Sequence, residues 1–238
     1  MKKTLLGSLL ALALVAGACG DSNSNDDDDG ATGTTTAGQS GGDFAVPTTG
    51  CPADASTKLA AGAPIKLGIS LPQSGQLAAF DAIRQGMNIS IKKVNDAGGV
   101  DGHKIELIAK DDAYEAARTV VNLTEMIDKD KIFASVGIIG TPNVAATRQK
   151  HEQTCTPQLN VNTGFPAWGD PKNHPWTTGG LLAYNTEALI WADYIKEQKP
   201  GAKVAQLIFN NDFGKAYQET FTDAAKKNGL EIVETRLH

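Results

Sequence analysis

The sequence predicts an α/β fold, a mostly parallel sheet with helices on both faces. Three observations point to it. After residue 64, apolar spacing switches repeatedly between a period near 2 and one near 3.6. Each strand-like run leads into a helix-like run, as strand–helix–strand crossovers require. Glycine pairs or Asn-Gly close several of the helical runs.

The elements follow in order. Ile65 to Leu71 alternates apolar with polar or small residues and reads as a strand. Phe80, Ile83, Met87, Ile91 and Val94 fall at steps of 3 and 4, an amphipathic helix that Gly98-Gly99 ends. Ile105 to Ala109 is the second strand. Ala113 to Asp128 reads as the second helix, with Val120, Leu123 and Ile127 inward. Ile132 to Val136 is the third strand. Thr141-Pro142 opens the third helix, with Thr141 expected as N-cap and Pro142 at the first helical position. Pro157 to Val161 is the fourth strand, and residues 163–180 read as irregular loop. Thr186 to Gln198 is helical, with Ala188, Trp191 and Ile195 inward. Val204 to Phe209 is a strand. Phe213, Tyr217 and Phe221 mark a last helix, closed by Asn228-Gly229 before a strand beginning at Leu230.

The N-terminus sets the compartment. Met1-Lys2-Lys3 is a short positive region, and Leu5 to Val15 is an apolar run too short to span a bilayer. This is the pattern of a signal peptide over residues 1–18. Ala16-Gly17-Ala18 then precedes Cys19, the order that a lipoprotein signal peptidase accepts, so Cys19 is expected to carry a lipid. Residues 19–63 read as a low-complexity tether and lead-in, with Asp26 to Asp29 as a solvated acidic run.

Composition narrows the function. The 238 residues carry 22 Lys+Arg and 27 Asp+Glu, a formal charge of −5. That balance argues against a nucleic-acid partner, which needs a basic face. No glycine-rich dinucleotide or phosphate loop and no nucleophile elbow occur. His151 stands beside Glu152 without a second histidine in register, so it reads as a lone exposed histidine and no metal site is expected. Asp111-Asp112 reads as a helix cap instead of an acid–base pair. No catalytic set is assembled and no cofactor is expected. Cys51 and Cys155 remain beside Cys19, and in an exported chain two such cysteines are expected to pair, drawing residues 51–64 back across the first half of the fold.

In parallel sheets, ligands bind beyond the carboxyl ends of the strands. The loop 137–143 contains Gly140, which lets backbone approach a ligand, and Thr141, whose hydroxyl lies at a helix start that attracts anions. Asn162-Thr163-Gly164 ends the neighbouring strand and adds small polar groups. Two such loops side by side suggest a small-molecule site without catalysis.

These residues add up to a resemblance. The stretches Ile65 to Gly68 through Ser74-Gly75, Asn95 to Gly102, Asp111-Asp112, Pro157 to Val161, Trp168 to Pro171 and Asn210 to Gly214 occur in order behind the lipobox. Together they resemble a substrate-binding lipoprotein of a branched-chain amino acid (Leu/Ile/Val)-type ABC importer. The resemblance implies the type I periplasmic-binding fold, with Rossmann-like lobes that clamp a small ligand. It implies a first lobe over 64–181 and part of a second over 182–238, the chain stopping before the family's usual end. It implies a monomer that delivers an amino acid or related carboxylate to a permease while held at the membrane by its lipid. An ammonium-binding acid would come from the part of the second lobe beyond residue 238.

The resemblance also implies site residues. Gly140 and Thr141 would grip a carboxylate, with Asn162, Thr163 and Gly164 beside them. Ser74 and Phe80 follow the first strand, and Phe213 stands in the second lobe with Tyr184 near the crossover. Pro142 removes one N–H donor and Phe213 offers no hydroxyl, departures that weaken an α-amino-acid assignment. A ligand-sensing receptor using the same clamp, and an exported enzyme, remain as alternative functions.

Overall fold

The computed structural model describes residues 46–55 and 58–238. The signal peptide, Cys19 and the acidic run lie outside the described residues. The first five strands are β1 Ile65–Leu71, β2 Ile105–Asp111, β3 Ala134–Val136, β4 Gln158–Val161 and β5 Thr177–Gly179. They form one sheet in the order β2–β1–β3–β4–β5, with each neighbouring pair parallel. The crossovers between the first four strands are helices: α1 Asp81–Asp96, α2 Ala116–Glu125 and α3 Thr141–Thr154. The chain runs outward from β1 to β2 and then returns to β3 on the other side. This reversal places the topological switch point between β1 and β3.

After β5 comes α4, Tyr184–Gln198, and then a second parallel pair, β6 Lys203–Ile208 and β7 Glu231–Leu237, joined by α5, Asp212–Lys227. The parallel α/β architecture of the sequence reading is therefore present, as is its alternation.

Two apolar clusters pack against the first sheet. Leu123, Met126, Ile127, Ile132, Ile138, Val144, Val161 and Trp168 form one. Ile69, Leu71 and Ile139 form the other, with Ile83 and Met87 of α1 against them. The second sheet has its own cluster, in which Ala188 and Ala192 of α4 meet Phe221, Ala224 and Ala225 of α5. Small residues on both helices let their axes approach closely.

Several elements differ from the sequence reading. The second helix begins at Ala116, not Ala113, because Ala113 and Tyr114 hold left-handed φ values of 49° and 65°. Its last turn widens into a π turn over Met126–Asp130, which buries Met126 and Ile127 while Val120 stays exposed. Gly140, not Thr141, is the N-cap of α3, so Pro142 takes the second helical position and the Thr141 hydroxyl caps nothing. Residues 163–180 include β5, a three-residue strand too short and polar for its period to register. It is joined through Gln158 N–H to Trp176 O at 2.8 Å and Thr177 Oγ1 to Gln158 Oε1 at 3.0 Å. Trp191 is half exposed, because the alanines take the α4–α5 contact and its ring lies flat on Tyr217 at 4.9 Å.

His151 is the clearest reversal. It is fully buried, with Nδ1 2.9 Å from Thr147 O and Nε2 2.7 Å from Ser135 Oγ. The inward face of α3 carries Thr141, Asn143, Thr147 and His151 around a single Val144. Apolar periodicity cannot reveal a face that buries polar groups.

Cys51 pairs with Cys155 as expected, with Cα atoms 5.6 Å apart and a sequence separation of 104. Cys155 caps the C-terminus of α3. The lead-in turns back as the sequence reading requires: Pro52, Leu59 and Pro64 line a hollow with Ile127, Ile132 and Trp176 at the amino ends of the strands.

Candidate functional site

The site forms at the carboxyl ends of the strands. β1, β3 and β4 deliver loops there, and Phe209-Asn210-Asn211 does the same after β6. Between them lies a cleft of about 270 Å³, lined by Leu77, Phe80, Tyr114, Ile139, Gly140, Asn162, Leu181, Tyr184, Phe209 and Phe213. Both sheets contribute to it. A separate apolar hollow of about 410 Å³ runs along the flank of β6 beneath Trp191 and Phe221, away from these loops.

Beneath the cleft is a buried polar network. Asp112 is inaccessible and accepts from Ser70 Oγ at 2.8 Å, Thr119 Oγ1 at 3.0 Å and Tyr114 N–H at 2.9 Å. Asn122 Nδ2 donates to Ser70 Oγ and to Asp111 O. Asn143 Nδ2 donates to Thr119 Oγ1 at 2.7 Å. Each bond fixes the next, because the Thr119 hydrogen is committed to Asp112. Asn143 Oδ1 is left fully buried without a hydrogen-bond partner among the described residues.

Asp111 holds the rim. Its carboxylate accepts the N–H groups of Gln73 at 2.7 Å, Ser74 at 3.2 Å and Ala113 at 3.0 Å, and the Ser74 hydroxyl at 2.5 Å. The Ser74 hydroxyl and then these backbone donors favour the anion and lower its pKa to about 2. The two aspartates therefore clamp turns; neither caps α2, whose N-cap is Glu115.

The sequence-predicted residues divide into two groups. Phe80, Gly140, Asn162, Tyr184 and Phe213 line the cleft. Ser74 is exposed at the rim and tied to Asp111. Thr141 and Thr163 are buried and turned toward each other, Oγ1 to Oγ1 at 2.6 Å, with Tyr184 Oη donating to Thr163 at 3.2 Å. These hydroxyls brace the cleft from behind. Gly164 is also behind it: a Cβ there would lie 2.1 Å from Leu182 O, so glycine lets the 181–184 segment close in.

Gly140 has a different reason. Its φ is +98°, and a Cβ would fall 2.6 Å from the Tyr114 ring and 2.9 Å from Asn143 Oδ1. Only glycine leaves room for that ring against the start of α3. Gly140→Ala is expected to lower stability by roughly 1–3 kcal/mol and to push Tyr114 into the cleft. Urea unfolding checks the first effect; unchanged stability would show that the ring moves aside freely.

Leu77, Tyr114, Ile139, Leu181 and Phe209 were not anticipated. Tyr114 stands two residues after Asp112, just past the end of β2, so its position after a strand end was the usable signal. Phe209 directly follows the last residue of β6 and in the sequence looks like any core aromatic.

Residues 64–238 match a family model described as periplasmic binding protein. The chain belongs to this family. Among its relatives is an amino acid binding protein of Pseudomonas aeruginosa, 34% identical over 72% of this chain and 46% of that protein. Among solved structures, one is a branched-chain amino acid transporter substrate-binding protein from Streptococcus pneumoniae in complex with isoleucine. It is 26% identical with a TM-score of 0.65, over 74% of this chain and 49% of that one. Another is a solute-binding protein of an ABC transporter from Rhodopseudomonas palustris BisB5 in complex with 3,4-dihydroxybenzoic acid. It is 25% identical with a TM-score of 0.64, over 74% and 47%. The chain thus spans about half the length of the curated relatives it matches. The type I periplasmic-binding fold inferred from the sequence agrees with these neighbours.

Proposed function

We propose that this protein is an extracytoplasmic solute-binding protein that captures a small carboxylate or amino-acid-like ligand and delivers it to the permease of an ABC importer. One observation carries the reading: the cleft lies at the switch point of one parallel sheet and is faced by rings that follow a strand of a second. In this reading residues 64–181 and 182–238 belong to two lobes that clamp the ligand. The start of α3 attracts the carboxylate, because its first N–H groups lack helical acceptors and carry the positive end of the dipole. Gly140 and Asn162 then border the bound group. The buried Thr141–Thr163–Tyr184 chain holds these loops at a set spacing. The protein works as a monomer without cofactor, releases its ligand unchanged, and is held at the outer face of the membrane by a lipid on Cys19.

Mass spectrometry of the small molecules released when the purified protein is denatured tests the binding reading. A stoichiometric small acid is the expected result. Conversion of that molecule by the native protein would replace the reading with an enzymatic one. Cys19→Ser should move the protein from the detergent phase to the aqueous phase, or leave its leader uncut. Unchanged partitioning would remove the anchor.

A further inference from the structure

The cleft is walled mainly by rings. Phe80, Tyr114, Tyr184, Phe209 and Phe213 all line it. The rings are set edge to face: Tyr114 meets Phe209 at 6.2 Å and 68°, and Tyr184 meets Phe213 at 5.1 Å and 66°. Phe209 and Phe213 lie 6.4 Å apart and tilted. Rings arranged this way present both faces and edges to whatever lies between them, which favours a further ring over an aliphatic chain of similar area. Leu77, Ile139 and Leu181 complete the apolar lining, and no carboxylate side chain borders the cleft among the described residues.

The Tyr114 backbone is strained to put its ring in the cleft. Ala113 and Tyr114 are consecutive non-glycine residues with left-handed φ. Left-handed φ is unfavourable for a residue with a Cβ, and here two such residues stand together. Two carboxylates offset the cost: Asp111 accepts the N–H of Ala113 and Asp112 that of Tyr114. Gly140 gives up a side chain so that the ring can sit over the start of α3. Two separate segments, 111–114 and the start of α3 at Gly140, therefore converge on one ring. Strain retained in this way, at a cleft, points to a role for the residue that is strained.

We infer that the cleft selects a ligand with a flat aromatic body, an aromatic monocarboxylate, and that Tyr114 is the residue that determines this preference. The carboxylate half of the inference rests on the solute-binding reading above; the aromatic half rests on the rings. The ligand's ring lies among Phe80, Tyr114, Phe209 and Phe213, with its carboxylate toward Gly140 and the start of α3.

The test compares benzoate, 4-hydroxybenzoate, cyclohexanecarboxylate and leucine on the intact protein, freed of bound solute by reversible denaturation. Saturation-transfer NMR and calorimetry give relative affinities. Benzoate should bind roughly three- to tenfold tighter than cyclohexanecarboxylate, which matches its size but has no π face. Tyr114→Leu should bring that ratio close to one while cyclohexanecarboxylate keeps its affinity. Phe80→Leu, at a half-exposed position that tolerates change, should lower the ratio in the same direction if Tyr114→Leu fails to fold. Leucine or cyclohexanecarboxylate binding as well as benzoate, or a ratio that survives both substitutions, overturns the inference and leaves the solute-binding reading standing. Failure of all four probes, with no solute released from the protein as purified, overturns both.

Discussion

Breaking the bond between Cys51 and Cys155 should cost the fold about 4–5 kcal/mol. The bond closes a loop of 104 residues. In the chain-entropy account, a loop of roughly that size restricts the unfolded chain by about 4.7 kcal/mol at 25 °C. The loop contains β1, α1, β2, α2, β3 and α3, so the constraint acts on most of the first sheet. A loss of that size should lower the melting temperature by roughly 10–20 °C for a folded body near 200 residues. Calorimetry of Cys51→Ser, or of the fully reduced protein, measures it. The lead-in should also loosen: Pro52 and Leu59 should gain hydrogen exchange and protease access at neighbouring amides, since the bond holds them against Ile127 and Ile132. A reduced protein that melts at the same temperature would show that the crosslink constrains little.

Mild acid should destabilise the protein through His151, by up to about 3 kcal/mol. Burial lowers the pKa of this histidine from 6.5 to about 4, because its charged form has no water. Its two ring nitrogens are already matched in the neutral form, Nδ1–H donating to Thr147 O and Nε2 accepting from Ser135. Above pH 6.5 the side chain is neutral both folded and unfolded, and stability does not depend on it. As the pH falls from about 6.5 toward 4, the unfolded chain takes up the proton and the folded chain does not, so stability declines. Below about 4 the folded form protonates as well and the decline from this group ends. Asp111, with its pKa lowered to about 2, adds a loss that sets in as pH falls through the ordinary carboxylate value and runs down toward 2. Urea midpoints measured between pH 7 and pH 4 separate the two. His151→Gln should flatten the upper part of the profile; a slope unchanged in that variant would assign it to another group.

Much of the fold was legible because parallel α/β chains repeat a simple alternation. The runs from Ile65 and Ile105 read as strands since their spacing matches the pleat, and Phe213, Tyr217 and Phe221 marked α5 by helical spacing. The third helix was located by Pro142, yet its inward face was not, because that face carries threonine, asparagine and histidine. β5 was lost for the opposite reason: three residues cannot establish a period. The start of α2 moved because hydrogen bonds from Asp111 and Asp112 hold Ala113 and Tyr114 out of helical geometry. These are local turns from residue i to i+2, but the same carboxylates also bind Ser70, Gln73 and Ser74 from the end of β1, and that part has no local pattern.

The site divides in the same way. Sequence order located the loops at the strand ends with Gly140 and Asn162 in them, and paired Cys51 with Cys155, because loop position and cysteine count follow from order along the chain; Phe80, Tyr184 and Phe213 came from the family resemblance. Which side chains line the cleft was decided only in three dimensions. Thr141 and Thr163 turned from the cleft toward each other, since two buried hydroxyls satisfy each other at 2.6 Å. Tyr114 entered it because Gly140, 26 positions later, leaves a gap of ring size. Phe209 entered because the second sheet presents the end of β6 to the first. Apolar and hydrogen-bonding groups act over a few ångströms, so they choose partners by proximity in the fold, and proximity between distant residues is what a linear sequence does not state.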